Sequence, residues 1–398
     1  MAESYCFSWR LESKSTLSIE RSQSPIGELV TEVGAESDSG VLALLSIPKP
    51  DDVAGDIDAG SNNSNDVKDE SRRQLVIDIP DNLEDLLSQP ALWPEICIYK
   101  IPRKLRAINP SAYTPQMISI GPFHHNEKSL KPMEKHKLRY LAEFCRRTGK
   151  TWVELENKIR EYELKIRHCY DQTFEQYEQN MFVRMILLDS VFIIEFFLKR
   201  ETTEESEEYK ADYILGKPSS EDAILEDLIL LENQLPYFVL ENLYEFATGN
   251  SATGNSDYSY KTSSGQRMML IESLYSATKL HEAGVKFKVD KKAWPLDIKF
   301  ERGELKMPRF EVHDGTERLI RNLMAFEQCH YPNDPYICEY ILILDFLVDT
   351  ERDVELLIQN GIITNLLGEC KSVARMVNKL CLEITTSGSC FLGLVSME

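Results

Sequence analysis

Three histidines and one glutamate lie close together and are the first residues whose types could do chemistry. His124 and His125 follow a Gly-Pro pair, and Glu134 and His136 come within the next eleven residues. Imidazole and carboxylate groups serve as general acids, bases and metal ligands. Neither H-E-x-x-H nor another zinc spacing is met, and adjacent histidines in a turn point apart. Three interpretations stay open, a metal site, acid–base catalysis or a turn fixed by histidine–backbone hydrogen bonds, and we favour the third.

The cysteines give a weaker signal for catalysis. His168 and Cys169 are neighbours on a predicted helix, where adjacent side chains face different directions, so they do not form a nucleophile–base pair by themselves. The sequence contains no G-x-S-x-G elbow, P-loop or G-x-G-x-x-G motif. We therefore assign no catalytic, cofactor-binding or metal-ligating residue, and we expect no cofactor.

A second concentration of polar residues lies in the run Leu-Leu-Glu-Asn-Gln-Leu-Pro at 230–236. Glu232, Asn233 and Gln234 stand between apolar residues, where polar groups must find partners or be desolvated at a cost. Two interpretations stay open, a polar ligand site or a buried hydrogen-bond network that fixes a chain break at Pro236. We favour the network. Two more carboxylates embedded in apolar helical sequence are candidates for it: Glu195 and Glu327.

The elements that would position these residues are mainly helical. Apolar residues recur at helical spacing from 133 to 168, with Thr151 and Glu154 placed as a capping box. A second apolar helix is predicted over 221–246, with a kink or break at Pro236.

The most apolar stretch is 181–198, in which 14 of 18 residues are Met, Phe, Val, Ile or Leu. Three charged residues, Arg184, Asp189 and Glu195, interrupt it. Each of them is costly in the middle of a bilayer, so the stretch is predicted to be a buried central helix.

A small β unit is predicted at about 285–312. Residues 285–289 alternate strictly between apolar and polar, and parts of 296–312 do so around a turn at Gly303. Helical patterns resume beyond Thr316. The predicted fold class is mainly α: a single large helical domain over 74–384 with a small antiparallel β insert.

Composition limits the remaining possibilities. The 398-residue chain carries a net charge of −20, which disfavours nucleic acid as a partner. Residues 1–73 are predicted to be a disordered acidic arm, since 1–70 hold 14 acidic and 5 basic side chains, and 385–398 a frayed tail. Nine cysteines without a C-x-x-C spacing favour reduced thiols.

Six blocks of the sequence, in order, carry a resemblance to a known family. The most specific is Asp227–Leu240, which contains the run at 230–236. The others are Ile101-Pro-Arg103 through Ile118-Ser-Ile-Gly-Pro-Phe-His-His125, Leu130–Lys137, Met185–Glu195, Ala277–Phe287 and Arg321–Gln328. Together they resemble the land-plant "domain of unknown function 247" family.

The resemblance implies a plant protein without an established activity. Members of this family typically end in one hydrophobic helix that anchors them to a membrane, and some grass members lie at self-incompatibility loci. Here no such helix follows the predicted helices near the end, and the segment joining 246 to 273 is shorter than expected. The chain is expected in the cytoplasm if it is complete, and at a membrane if an anchor is missing.

Three functions remain open. The first, which we favour, is a non-enzymatic interaction or regulatory module with protein partners. The second is a hydrolase or transferase built from His124, His125, Glu134 and Glu232, which would have to converge in a cleft. The third is a membrane-associated scaffold, as in the anchored members.

Overall fold

Among the residues that the structure describes, helices are in the majority, in agreement with the predicted fold class. The structure is a computed structural model that describes residues 93–200, 207–249, 268–270, 274–290, 296, 298–333, 335–384 and 391–393. All of these residues belong to one compact unit. The predicted acidic arm lies outside the described residues, as does the predicted tail except for a short strand at 391–393.

The first part of the described chain, residues 93–249, contains no regular strand. A lone parallel bridge joins Ile98 to Tyr170. The helices of this part are α1 (Arg103–Ile108), α2 (Glu134–Thr148), α3 (Trp152–Arg160), α4 (Glu163–His168), α5 (Gln179–Arg200), α6 (Glu207–Ala211), α7 (Pro218–Leu228) and α8 (Tyr237–Thr248), with short 3-10 turns at Pro110–Tyr113 and Lys131–Met133.

Local signals in the sequence explain several helix boundaries. Thr151 and Glu154 form the predicted capping box at the start of α3, with each side chain accepting from the other's backbone N–H. Gly149 ends α2 in the left-handed conformation, at φ +70°. The helical pattern predicted from 133 to 168 is divided into α2, α3 and α4, with breaks near Gly149 and Tyr162.

Helix α5 is the central buried helix that the apolar run 181–198 predicts. Its side chains from Phe182 to Phe196 are buried except at Arg184 and Leu188. It packs against α2, α3, α4 and α8. Among the described residues, no helix is both long and apolar enough to cross a membrane.

The second predicted apolar helix is broken, and the break is wider than a kink. Helix α7 ends at Leu228, and α8 starts at Tyr237 with Pro236 as its N-cap. The eight residues between the two helices are not helical, although all of them are buried. The break places three consecutive polar residues inside the protein, where each of them needs a partner.

The second part of the described chain combines helices with short strands. Its helices are α9 (Ala277–Glu282), α10 (Thr316–His330), α11 (Tyr336–Leu347), α12 (Glu351–Gln359) and α13 (Cys370–Leu380). Its strands are β1 (Met268–Leu270), β2 (Lys286–Val289), β3 (Lys299–Glu301), β4 (Glu304–Met307), β5 (Phe310–Val312), β6 (Ile363–Asn365) and β7 (Phe391–Gly393).

The β insert differs from the predicted antiparallel unit in the direction of its strands. Strands β3 and β4 form the expected antiparallel hairpin, but β2 pairs parallel to β4, and β5 pairs parallel to β6. Alternation of apolar residues fixes which face of a strand is buried, but it leaves the direction of the neighbouring strand open. Strands β1 and β7 form a separate antiparallel pair.

Two apolar clusters form the core. One joins the helices of residues 97–247, and the other joins the helices and strands of 277–380. A third, smaller cluster bridges the two halves of the sequence through Tyr113, Leu231 and Ala325. The cysteines at 97, 145, 169, 329, 338, 370 and 381 are free thiols.

Candidate functional site

Buried polar side chains from three parts of the chain meet around one irregular segment, residues 116–121. This segment has no strand partner, and its residues from Ile118 to Gly121 are buried. Buried backbone N–H and C=O groups need hydrogen-bond partners, and outside helices and sheets side chains must supply them. Three groups of buried side chains do so here.

Asp227, a buried residue near the end of α7, accepts hydrogen bonds from three consecutive backbone N–H groups. The distances are 2.9 Å to Gln116, 2.6 Å to Met117 and 2.9 Å to Ile118. Burial raises the pKa of Asp227, while these N–H groups and the guanidinium of Arg318 oppose the increase. The carboxylate therefore ties the start of the segment to α7.

Asn233 supplies the next two partners. Its Oδ1 accepts from the N–H of Ile120 at 2.7 Å, and its Nδ2 donates to the carbonyl oxygens of Ile118 at 3.1 Å and Asp227 at 2.9 Å. The neighbouring Gln234 donates from Nε2 to Leu228 and Leu230 within its own loop. Both amides thus serve the backbone of the break between α7 and α8.

The third group consists of Asp189, Lys137 and Glu134. Lys137 is fully buried, and its Nζ donates to Asp189 at 2.6 Å, to the carbonyl oxygen of Ser119 at 2.6 Å and to Glu134 at 2.5 Å. The second oxygen of Asp189 accepts from the N–H of Gly121 at 2.8 Å.

Electrostatics in this group favour a charged pair at neutral pH. Burial raises the pKa of Asp189 to about 6, opposed chiefly by the charge of Lys137. Burial also acts to lower the pKa of Lys137, but the carboxylates of Asp189 and Glu134 outweigh it and raise that pKa. A buried ammonium with three acceptors is satisfied where it lies, so it is poorly placed to act on a ligand.

Glu232 lies in a separate group with His124. Its Oε1 accepts from the N–H of Ile101 at 2.8 Å, and its Oε2 lies 2.5 Å from Nη2 of Arg106 and 3.0 Å from Nε2 of His124. The imidazole contact is close but is not a well-directed hydrogen bond. Burial acts to raise the pKa of Glu232, and His124, Arg106 and Ile101 together outweigh it and lower that pKa.

His125 points to a different place from His124, as expected for neighbours in a turn. Its ring packs edge-to-face on Tyr177, with centroids 5.8 Å apart, and its Nδ1 is buried with no hydrogen-bond partner among the described residues. Burial lowers the pKa of His125, and the charge of Glu134 partly opposes this. Neither imidazole forms a hydrogen bond with backbone among the described residues, so the predicted histidine–backbone hydrogen bonds are wrong. The four residues of the enzyme hypothesis are divided between two places.

Two predicted members of the network lie elsewhere, which corrects the grouping suggested by the sequence. Glu195 pairs with Arg147 on α2. Glu327 accepts from the backbone N–H groups of Ile337 and Cys338, at the start of α11. A carboxylate within an apolar helical sequence is predicted to need a partner, but the sequence does not indicate where that partner lies.

Several residues of the site were not among the candidates from the sequence. Asn322 on α10 accepts from the N–H of Leu231 at 3.0 Å and donates to the carbonyl oxygen of Ala112 at 2.8 Å, and so joins the two halves of the sequence. The others are Arg106, Lys137, Asp189, Asp227 and Arg318. For Asp189 and Asn322, the available signal was a polar residue on the apolar side of a helix.

The chemistry open to this site is limited. In the part of the chain that the structure describes, no group of three His, Cys, Asp or Glu side chains is placed to hold a metal ion. Two surface depressions are lined by residues of α1, α10, α13 and their neighbouring loops, without His124, His125, Glu134 or Glu232. Asn233, Gln234 and one carboxylate oxygen of Glu232 form hydrogen bonds with the backbone.

Comparison with known proteins gives one family and two relatives. Residues 98–270 and 251–397 match the sequence model of domain of unknown function 247, described as a plant protein of unknown function. The chain is similar to UPF0481 protein At3g47200 of Arabidopsis thaliana, with 28% identity over 334 residues that cover 68% of this chain and 69% of that protein. It is also similar to the putative UPF0481 protein At3g02645 of the same plant, with 30% identity over 185 residues that cover 45% and 32%. No solved structure matches.

Proposed function

Since the chain belongs to the domain of unknown function 247 family of plant proteins, we propose that it is a non-enzymatic interaction or regulatory module that binds protein partners. The observation that carries this proposal is how the buried polar residues around 116–121 are used. Asp227, Asn233, Asp189 and Lys137 all form hydrogen bonds with the backbone of residues 116–121. Groups engaged in this way stabilise the fold and are not positioned for acid–base chemistry on a substrate.

The test is recovery of partners with the full-length chain. The tagged protein, expressed in plant tissue, is expected to co-elute with a protein partner near equal stoichiometry in size-exclusion chromatography. The variant Glu232→Gln is expected to retain that partner, because its amide can still accept from Ile101. Elution without any partner from all tissues tested would contradict the proposal.

One observation favours the alternative, a hydrolase or transferase: the 3.0 Å contact between His124 and Glu232. An imidazole beside a carboxylate is the pairing that general-base catalysis uses. If the protein has such an activity, His124→Asn should remove it while leaving the melting temperature close to that of the wild type. A turnover that survives in His124→Asn would exclude this pair as its source.

A further inference from the structure

Helix α13 divides sharply into an apolar face and a basic face. Val373, Met376, Val377 and Leu380 are among its buried residues. The opposite face carries three exposed cations at four-residue spacing, Lys371, Arg375 and Lys379, which we call the α13 stripe. Residues four apart lie on the same face of a helix, so the three charges form one line.

The charged ends of the α13 stripe lack carboxylate partners among the described residues. None of the three side chains takes part in a hydrogen bond or in an ion pair within 4.0 Å there. Lys379 acts at longer range, since its charge contributes to the lowered pKa of Glu317. The α13 stripe is therefore a locally basic surface on a protein whose net charge is −20.

Two cations of the stripe, Arg375 and Lys379, line an open depression on the surface. Its lining also includes Ser372 and, from the region where α10 begins, His313, Asp314 and Glu317.

The charges around the depression do not cancel. Glu317 already accepts from Arg321 at 2.8 Å and from Asn109 at 2.9 Å. Asp314 is then the remaining acidic side chain facing the two cations of the depression. The balance favours an anionic occupant.

A leucine lines the depression together with the cations. Leu367 lines the depression, and its neighbour Leu366 has 65% of its surface exposed. A row of cations beside an exposed leucine suits an acidic peptide that also carries an apolar side chain, because the charges set the orientation and the leucine contact excludes water.

The geometry points to the α13 stripe, with Leu366 and Leu367, as the docking surface for an acidic segment of a protein partner. This inference rests on the proposed function and adds to it the surface and the kind of partner. The rest of the protein is acidic, so it repels large anionic partners such as nucleic acid and anionic membranes. A short acidic peptide is small enough to contact the stripe without approaching the acidic surfaces.

The test uses the full-length chain and a fluorescein-labelled peptide of Asp and Glu with a central Leu. Fluorescence anisotropy is expected to show binding that weakens as salt is raised. The double variant R375E/K379E is expected to bind at least about tenfold more weakly than the wild type. The matched control is K135E/R146E, which makes the same charge change on exposed positions of α2 and is expected to stay within about twofold of the wild type.

Four results would overturn the inference. They are no peptide binding by the wild type, equal weakening by the two double variants, unchanged binding by a folded R375E/K379E, and binding of phosphatidylserine vesicles but not of the peptide. A circular dichroism melt shows whether R375E/K379E is folded. If it is not, Leu366→Ser at an exposed position replaces it and is expected to weaken binding.

The outcomes also separate this inference from the proposed function. A partner that is recovered from plant tissue but binds R375E/K379E as well as the wild type refutes the docking surface and leaves the interaction module standing. Absence of any partner refutes the proposed function itself.

Discussion

Replacing Asn233 by leucine removes three hydrogen bonds from a site where water cannot replace them. The side chain is 1% exposed, and its partners are the N–H of Ile120 and the carbonyl oxygens of Ile118 and Asp227. A buried polar backbone group left without a partner costs about 1–3 kcal/mol. Three such groups give a loss of about 3 kcal/mol or more, a large part of the stability of a typical domain.

The expected shift in melting temperature follows from the size of the family-matched region. An unfolding entropy of about 2 cal/mol/K per residue over roughly 300 residues converts 3 kcal/mol into a decrease of about 5 °C. Differential scanning calorimetry measures it directly. The matched control is Asn242→Leu, which removes a single bond to the carbonyl oxygen of Phe238 within α8 and should shift the melting temperature by less than about 2 °C. Equal shifts for the two variants would refute the network argument.

Two other predictions concern backbone space and pH. Gly121→Ala should destabilise by about 3 kcal/mol, because a Cβ would lie 2.7 Å from the carbonyl oxygen of Gln234. The matched control is Gly149→Ala, which has nearly the same φ but no atom near the added Cβ, and it should lower the free energy of unfolding by about 1 kcal/mol. Equal losses of stability for the two variants in urea unfolding would contradict this prediction. Burial and the charge of Asp349 raise the pKa of Asp345 to about 6. Between about pH 4 and 6 the folded protein therefore binds more protons than the unfolded chain does, and its free energy of unfolding decreases as pH rises through that window. Asp345→Asn should therefore raise the melting temperature at pH 7 and leave it unchanged near pH 4, and a uniform effect across pH would argue against this.

Features set by neighbours in the sequence were predicted well. The capping box at Thr151 depends on residues three positions apart, and the end of α2 depends on one glycine. The buried character of α5 follows from its composition, because three charges cannot outweigh so many apolar side chains. The break before α8 follows from Pro236, although its length of eight residues does not.

Features set by distant residues could not be predicted. Strand β2 runs parallel to β4, a choice that depends on how the chain returns between them. The partners of Glu195 and Glu327 lie on other elements, and no sequence pattern ties these carboxylates to Arg147 or to the start of α11. For the candidate site, the sequence indicated which residues need partners. The partners proved to be mainly backbone groups, which carry no signature in the sequence.

The hydrogen bonds of residues 116–121 come from distant parts of the sequence, which has a consequence for synthesis on the ribosome. Their partners Asp189, Asp227 and Asn233 lie 68 to 113 positions further along the chain. When the segment leaves the exit tunnel, these partners have not yet been translated, and its peptide groups stay hydrated until they arrive. A nascent chain that stops before residue 233 cannot complete this part of the interior, so the first 232 residues are not expected to form a stable product by themselves.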